Sequence, residues 1–387
     1  MMAIVMTILA GLVTLIWVSR HIQLELERRN GFELTEDYPC PAGEIGKISV
    51  LIAAKDEQAN IAPCIESLLM QDYPNLEIIV CNDRSDDATG EIIHKFAAED
   101  SRIRAIDVAE LPPGWKGKNH AMHLASQLAT GEYLLCIDAD CKQLSPRSLS
   151  VAMQLMADRQ AGLLCLLPNL EMKGFWENVV QPVGSGILMV WFDPKKVNNP
   201  RKPHAYANGA FMLFRRDVYD AIGGHEALRD VMQEDMAIAG LVKQRQLGLI
   251  VARSNGLYSV RMYTTFAQTI QGWTRIFFGS FPSLTRLTIS LTLILMVGLF
   301  PYLAAAMGLS LGEGDNLWRV CGYLGVATVV LQLTLMAGFY RLIRVRWELF
   351  WTYPLGVLLT AWTIFQAMLK HIPGAKITWK GTAYSQR

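Results

Sequence analysis

The chain has 387 residues, with 36 Lys and Arg against 35 Asp and Glu for a formal charge of +1. That length has room for about two domains of ~150 residues, and so balanced a charge gives no basis for a nucleic-acid partner. Seven cysteines are scattered with no C-x-x-C spacing, which argues against a zinc site or a disulfide framework and suits a reducing compartment. The placement of charge says more than its sum. Residues 1–18, 287–311, 320–340 and 349–369 contain no charged side chain, and each reaches or nears the ~20 residues a helix needs to cross a bilayer.

The first apolar stretch lacks a basic start and a small-residue cleavage site, and Arg20, His21, Arg28 and Arg29 follow it. These features predict an uncleaved anchor over residues 1–19 with its N-terminus outside, and residues 20–286 in the cytoplasm. Arg341, Arg344 and Arg346 agree with that side. The tail at 370–387, with Lys370, Lys376, Lys380 and Arg387 and no acid, does not, because four spans would leave it outside.

Residues 20–46 read as a charged stem and a linker, Tyr38-Pro39-Cys40-Pro41-Ala42-Gly43. Apolar runs then predict strands at 47–54, 76–82 and 102–108 and a fourth starting at Tyr133, with helices at 58–71, from about 89 to 98, and after Lys118. Strands alternating with helices imply a parallel, doubly wound α/β sheet. The last run, Tyr133-Leu134-Leu135-Cys136-Ile137, ends in Asp138-Ala139-Asp140. Period-2 geometry puts both carboxylates on one side at the strand's C-terminal end, where such sheets bind ligands. Two carboxylates side by side repel, and a divalent metal carrying a diphosphate between them relieves the repulsion.

Other polar residues have plainer readings. Asp86 and Asp87 read as helix-capping residues. His120 and His123, at i and i+3 with no third ligand in sight, read as a solvated helix face. Beyond Asp140 the pattern predicts a helix at 147–159 and a strand at 162–167. An uncharged run follows at 178–192, too short to span and packed either in the core or in the membrane interface. A strand is predicted at 205–214 with Gly209 marking close backbone approach, then a short helix at 217–222 ended by Gly223-Gly224. Glu234-Asp235 opens a further helix. Residues 264–278 form an amphipathic pattern, with Phe266, Ile270, Trp273, Phe277 and Phe278 toward one side, that reads as an interfacial helix.

In order, Lys55-Asp56-Glu57, Asp83, Gly114-Trp115-Lys116-Gly117-Lys118, Asp138-x-Asp140, Asn208-Gly209-Ala210, Gly223-Gly224-His225, Glu234-Asp235 and Gln271-Gly272-Trp273-Thr274-Arg275 resemble the family 2 inverting glycosyltransferases of GT-A fold, from residue 47 to about 280. Leu111-Pro112-Pro113-Gly114-Trp115 and Phe175-Trp176-Glu177 look like the hopene-associated members. Val260-Arg261-Met262-Tyr263 looks like the carotenoid (diaponeurosporenoate) members, and one anchor before the domain with several spans after it is similar to the ceramide glycosyltransferases. The resemblance implies a GT-A domain at 47–263, an interfacial helix at 264–286, transmembrane helices at 287–369 and a basic tail, in a bacterial inner membrane.

It further implies transfer of a single hexose from a nucleotide sugar, a UDP-sugar, to a membrane lipid such as a carotenoid, hopanoid or sphingoid lipid, with Mn2+ or Mg2+ as cofactor. Carried over, Asp83 contacts the nucleotide base, Asp138 the ribose or diphosphate, Asp140 the metal, and Lys118 helps neutralise the diphosphate. Glu57, Gln271 and Arg275 complete the nucleotide-sugar set, and Asp235 is the general base, with Glu234 beside it to raise its pKa. The chain departs from the family pattern at Ala53 and Asp56, and Arg275 is followed by Ile276 where processive members have Trp. That speaks against the same-fold alternative, a processive polysaccharide synthase. A non-catalytic membrane scaffold, the alternative of another class, has no need of Asp83, Asp138, Asp140 and Asp235 together.

Overall fold

A computed structural model describes residues 1–40, 46–281, 283–372, 376–379 and 382–385. Pro41, Ala42 and Gly43 of the linker and Lys380, Gly381 and Arg387 of the tail lie outside the described residues. The chain divides into two compact units, one of Phe32–Glu171 with Met189–Met262 and one of Met1–Gly31, Met172–Leu188 and Tyr263–Arg387.

The first unit is built on strands β1 (Glu33–Leu34), β2 (Ile48–Ala54), β3 (Leu76–Asn82), β4 (Ile103–Asp107), β5 (Tyr133–Asp138), β6 (Cys141–Gln143), β7 (Leu163–Leu167), β8 (Asn169–Leu170), β9 (Met212–Arg215), β10 (Leu249–Ser254) and β11 (Tyr258–Val260). Eight of them form one sheet in the order β1-β10-β7-β9-β5-β2-β3-β4, while β6, β11 and β8 form a small second sheet. Ile48, Val50 and Ile52 of β2 pack on one side of the large sheet, and Leu51 with Ile79, Leu134 and Cys136 on the other. Both faces are covered, which is why these strands read as continuous apolar runs rather than alternating ones.

The sheet is mixed, not parallel throughout. β2, β3, β4 and β5 are parallel as expected, but β9 runs antiparallel to both β5 and β7. The strand predicted at 205–214 is confined to Met212–Arg215, because Asn208 Oδ1 accepts the Ala210 amide at 3.0 Å and turns the chain before it. Register puts Met212, where β9 begins, opposite Cys136 and Cys165 near the ends of β5 and β7. The reversed strand thereby delivers the Asn208-Gly209-Ala210 turn to the edge where the parallel strands finish.

At the opposite edge, Glu77 in β3 is 7% exposed. It accepts from Ser49 Oγ at 2.5 Å, Thr130 N at 2.7 Å, Thr130 Oγ1 at 2.9 Å and Lys47 Nζ at 3.0 Å. Burial alone raises a carboxyl pKa, but these bonds outweigh it and bring Glu77 from 4.5 down to about 2. A lowered folded-state pKa stabilises above the unfolded value, and the contribution is lost as pH falls through the folded one. Glu77→Gln should cost ~3 kcal/mol near neutral pH. In urea titrations of both proteins the difference should shrink as pH drops from 4.5 toward about 2; equal midpoints near neutrality would show that the network contributes nothing.

In the second unit, the helices Met2–Asn30, Asn316–Leu342 and Trp347–Leu369 are long and apolar enough to cross a membrane. The first runs unbroken past residue 19 through Arg20 and Arg29, so the expected stem begins as helix. The stretch expected to be one span at 287–311 is instead two helices, Leu284–Gly298 and Phe300–Leu311, bent by 41°. Pro301 has no N–H to offer the Val297 carbonyl. That carbonyl accepts instead from Trp17 Nε1 at 3.0 Å and Gln332 Nε2 at 2.8 Å, and Gln332 also reaches the Gly298 carbonyl at 3.1 Å. The buried amide nitrogen of Gln332 among apolar helices is thus accounted for by the break it repairs, while its Oε1 has no hydrogen-bond partner among the described residues.

All but the last residue of the uncharged run at 178–192 lies in the helix Phe175–Trp191. Residues 178–184 are buried in the core of this unit, with the Asn178 carbonyl accepting from Tyr340 Oη at 3.0 Å and Gly356 packed on the Val179 carbonyl. Met189 and Val190 at its end are exposed. The helix Phe266–Ser280 starts from a capping box of Thr265 and Gln268. It buries Ile270, Trp273, Phe277 and Phe278 and leaves Phe266 exposed. Trp273 packs on Gly184, and Thr274 Oγ1 donates to Gln366 Oε1 at 3.0 Å, so its apolar side meets protein within the unit.

Candidate active site

Parallel pairing aligns Ala53 with Asp138 and Ala54 with Asn82, so β2, β3 and β5 end together and the loops after them share one edge. β5 stops at Asp138. Asp140 sits in the following turn, not on the strand, because Cys141 is drawn into the second sheet opposite Val260. The alternation argument therefore holds for Asp138 and fails for Asp140, although both remain at this edge.

The loops after β2 and β3 are stitched together. Asp56 and Arg84 both take left-handed backbone, with φ of 52° and 54°. Asp56 Oδ1 accepts from Asp86 N at 2.9 Å, while Asp87 accepts from Gln58 N at 3.1 Å and Thr89 N at 3.0 Å. The helix Thr89–Glu99 has Ala88 at its N-cap, with no side-chain cap, and Glu91 in its first turn, so neither Asp86 nor Asp87 is the expected N-cap; Asp87 instead ties the two loops together and Asp86 joins through its backbone. Glu57 Oε2 accepts from Asn60 Nδ2 at 2.7 Å at the start of the helix Ile61–Leu69. Asp83 is buried and accepts from Arg84 Nε at 2.9 Å. Gly117, the first residue of the helix Gly117–Leu128, has to be glycine, since a Cβ there would run into the Asp83 carboxylate. Trp115 touches both His120 and His123, at centroid distances of 5.2 and 5.1 Å, and both are half-buried, so the face they form is packed against an indole rather than solvated as expected.

Next to Gly117, Lys118 reaches Asp138 Oδ1 at 2.6 Å and Glu234 Oε1 at 2.7 Å. Burial pulls the Lys118 ammonium pKa down, but the two carboxylates overcome it and hold it well above the ordinary lysine value. A Cβ on Gly209 would stand 3.0 Å from Lys118 Nζ and 3.7 Å from Asp138 Oδ2. The Gly209 amide donates to Asp235 Oδ2 at 3.2 Å, and Asp235 Oδ1 accepts from Met236 N at 2.7 Å. Burial first and the Glu234 charge second push Asp235 up to about 7.

Asp140 is likewise raised to about 7 by burial, then by Asp138 and Glu57. That mutual repulsion among hard oxygen donors is relieved by a divalent cation of the Mg2+ or Mn2+ kind. Among the described residues no group of three or more His, Cys, Asp or Glu could hold a metal by itself. One or two carboxylates with substrate phosphates and water filling the remaining positions is the arrangement Mg2+ commonly takes, so the residues present fit such an ion.

Of the eight residues singled out from sequence, Glu57, Asp83, Lys118, Asp138, Asp140 and Asp235 belong to the sheet unit, and Gln271 and Arg275 to the helix Phe266–Ser280 of the other. Sequence reasoning missed two partners: Glu234, which holds Lys118, and Arg84, which holds Asp83. An acid preceding Asp235 at a helix start was the available signal for the first. Nothing in the sequence signalled the second.

Residues 49–223 match the family described as Glycosyl transferase family 2. That stretch is a family 2 glycosyltransferase domain, and the chain is an enzyme, a glycosyltransferase. It is 24% identical over 349 residues to the 4,4'-diaponeurosporenoate glycosyltransferase of Staphylococcus aureus, covering 87% of this chain and 88% of that one. Its fold is shared with a mannosyltransferase from Pyrobaculum calidifontis in complex with GDP-Man and Mn2+, at a TM-score of 0.54 and 16% identity over 86% of this chain and 99% of that one.

Proposed function

We propose that the chain moves one hexose from a nucleotide sugar, a UDP-sugar, to a membrane lipid with inversion at the sugar carbon. The observation that carries this reading is the meeting of Lys118, Asp138 and Glu234 with Asp235 on the Gly209 turn. A cation for a leaving diphosphate and a carboxylate with raised pKa are the two things in-line glycosyl transfer requires. Asp83 takes the nucleotide base and Asp138 the ribose or diphosphate, with Glu57 completing the donor site within the sheet unit. Asp235 receives the proton from the acceptor hydroxyl or carboxyl as its oxygen attacks. Asp140 would hold Mn2+ or Mg2+, which supplies neutralisation of the diphosphate's developing charge.

A lipid acceptor is supported by the apolar helices and by the relative named for a carotenoid acid. The basic residues Arg20, Arg28 and Arg29 and Arg341, Arg344 and Arg346 support an inner-membrane enzyme with its sheet unit in the cytoplasm. Lipids extracted from cells with and without the chain, compared by mass spectrometry, should differ by a hexosylated species; indistinguishable lipid profiles would remove the lipid acceptor.

The base must be ionised to work, and Asp235 titrates near 7. Turnover should therefore fall by about tenfold per pH unit on the acid side of that value and level off above it. A rate profile that stays flat on the acid side assigns proton removal to another group.

A further inference from the structure

We propose that Glu234 is a positioning residue that draws Lys118 back from the donor's diphosphate, so that the nucleoside diphosphate can leave once the sugar has moved. This rests on the reading of the edge as a nucleotide-sugar site. Glu234 is 5% exposed and opens the helix Glu234–Gln244. Its Oε1 takes Lys118 Nζ at 2.7 Å while Asp138 Oδ1 takes the same nitrogen at 2.6 Å. An ammonium has three N–H donors, so one remains. The Gly209 backbone closes another side, where even a Cβ would come within 3.0 Å. Lys118 is thus not a cation waiting for phosphate: beyond its third N–H, each bond it gives a diphosphate is taken from a carboxylate.

Glu234 is the partner that resists. Stripped of Lys118, it is a carboxylate nearly cut off from water and next in sequence to Asp235, which is unfavourable both through desolvation and through like charge. During transfer the acceptor oxygen bonds to the sugar carbon, its proton goes to Asp235, and the electron pair of the broken bond stays on the β-phosphate oxygen. The nucleoside diphosphate then carries one more negative charge than it did in the donor, and its pull on Lys118 is greatest when it should depart. The Glu234 charge opposes that pull and limits how long the product is retained.

Glu234→Gln keeps the shape and an acceptor oxygen but removes the charge. In calorimetric titrations of the full chain in detergent with Mn2+, the variant should bind UDP or GDP, whichever the native protein takes, about tenfold tighter. With the sugar donor, kcat and KM should fall together. Lys118→Met should weaken binding, and adding Glu234→Gln to it should bring no tightening. If the native protein binds neither nucleotide, the donor-site reading fails. If it does bind and folded Glu234→Gln binds equally or more weakly, the positioning role is overturned. Thermal unfolding establishes that the variant is folded; if it is not, Glu234→Asp, whose carboxylate is one carbon further from Lys118, carries the same test with a smaller tightening.

Discussion

Asp235→Asn should bind the nucleotide sugar as the native protein does and lose turnover by roughly 10²–10⁴, the range typical of removing a general base. The carboxamide keeps the volume and an oxygen for the Gly209 and Met236 amides, which now hold Asp235 at 3.2 and 2.7 Å. Local geometry therefore survives, and what goes is the ionisable carboxyl that burial and Glu234 push up to about 7. The variant should also lose the acid limb of the pH profile, since its residual rate no longer depends on that ionisation. Donor affinity measured beside single-turnover rates separates the cases: a comparable loss of affinity would make Asp235 a binding residue rather than the base.

Asp140→Ala should abolish metal-dependent donor binding and turnover together. Asp140 is crowded by Asp138 and Glu57, so removing its carboxylate relieves repulsion within the protein. The variant should consequently unfold no earlier than native in thermal scans without metal, while losing the increment that Mn2+ plus nucleotide gives the native chain. Turnover should drop by at least about 10² if charge on the leaving diphosphate is neutralised through this position. Full activity of the native enzyme in excess chelator would sink this assignment.

Much of the sheet unit was legible because its strands are covered on both faces. β3 was delimited at Leu76 and Asn82 and β5 was traced into Asp138 from apolar runs alone. The direction of β9 was not, since four apolar residues look the same in either orientation; register against β5 and β7 is a tertiary fact. That strand is what carries Gly209 to the site, so the most important backbone contact there was marked by a glycine but not placed. The Lys118–Glu234 pair joins residues over a hundred positions apart, and no local pattern relates them. The bend at Pro301 was written in the sequence as a proline within an apolar run. Its repair by Gln332 and Trp17 was not, because each donor comes from a different helix.

The central claim, sugar transfer from a nucleotide to a membrane lipid, is tested most directly with the purified full chain in bilayer nanodiscs. The assay supplies radiolabelled UDP-hexose, Mn2+ and a bacterial lipid extract, with Asp235→Asn as control. Label should move into the organic phase with native protein and remain aqueous with the variant. Label that stays aqueous with the native enzyme across UDP- and GDP-hexoses, or that enters the organic phase equally with Asp235→Asn, would contradict the account.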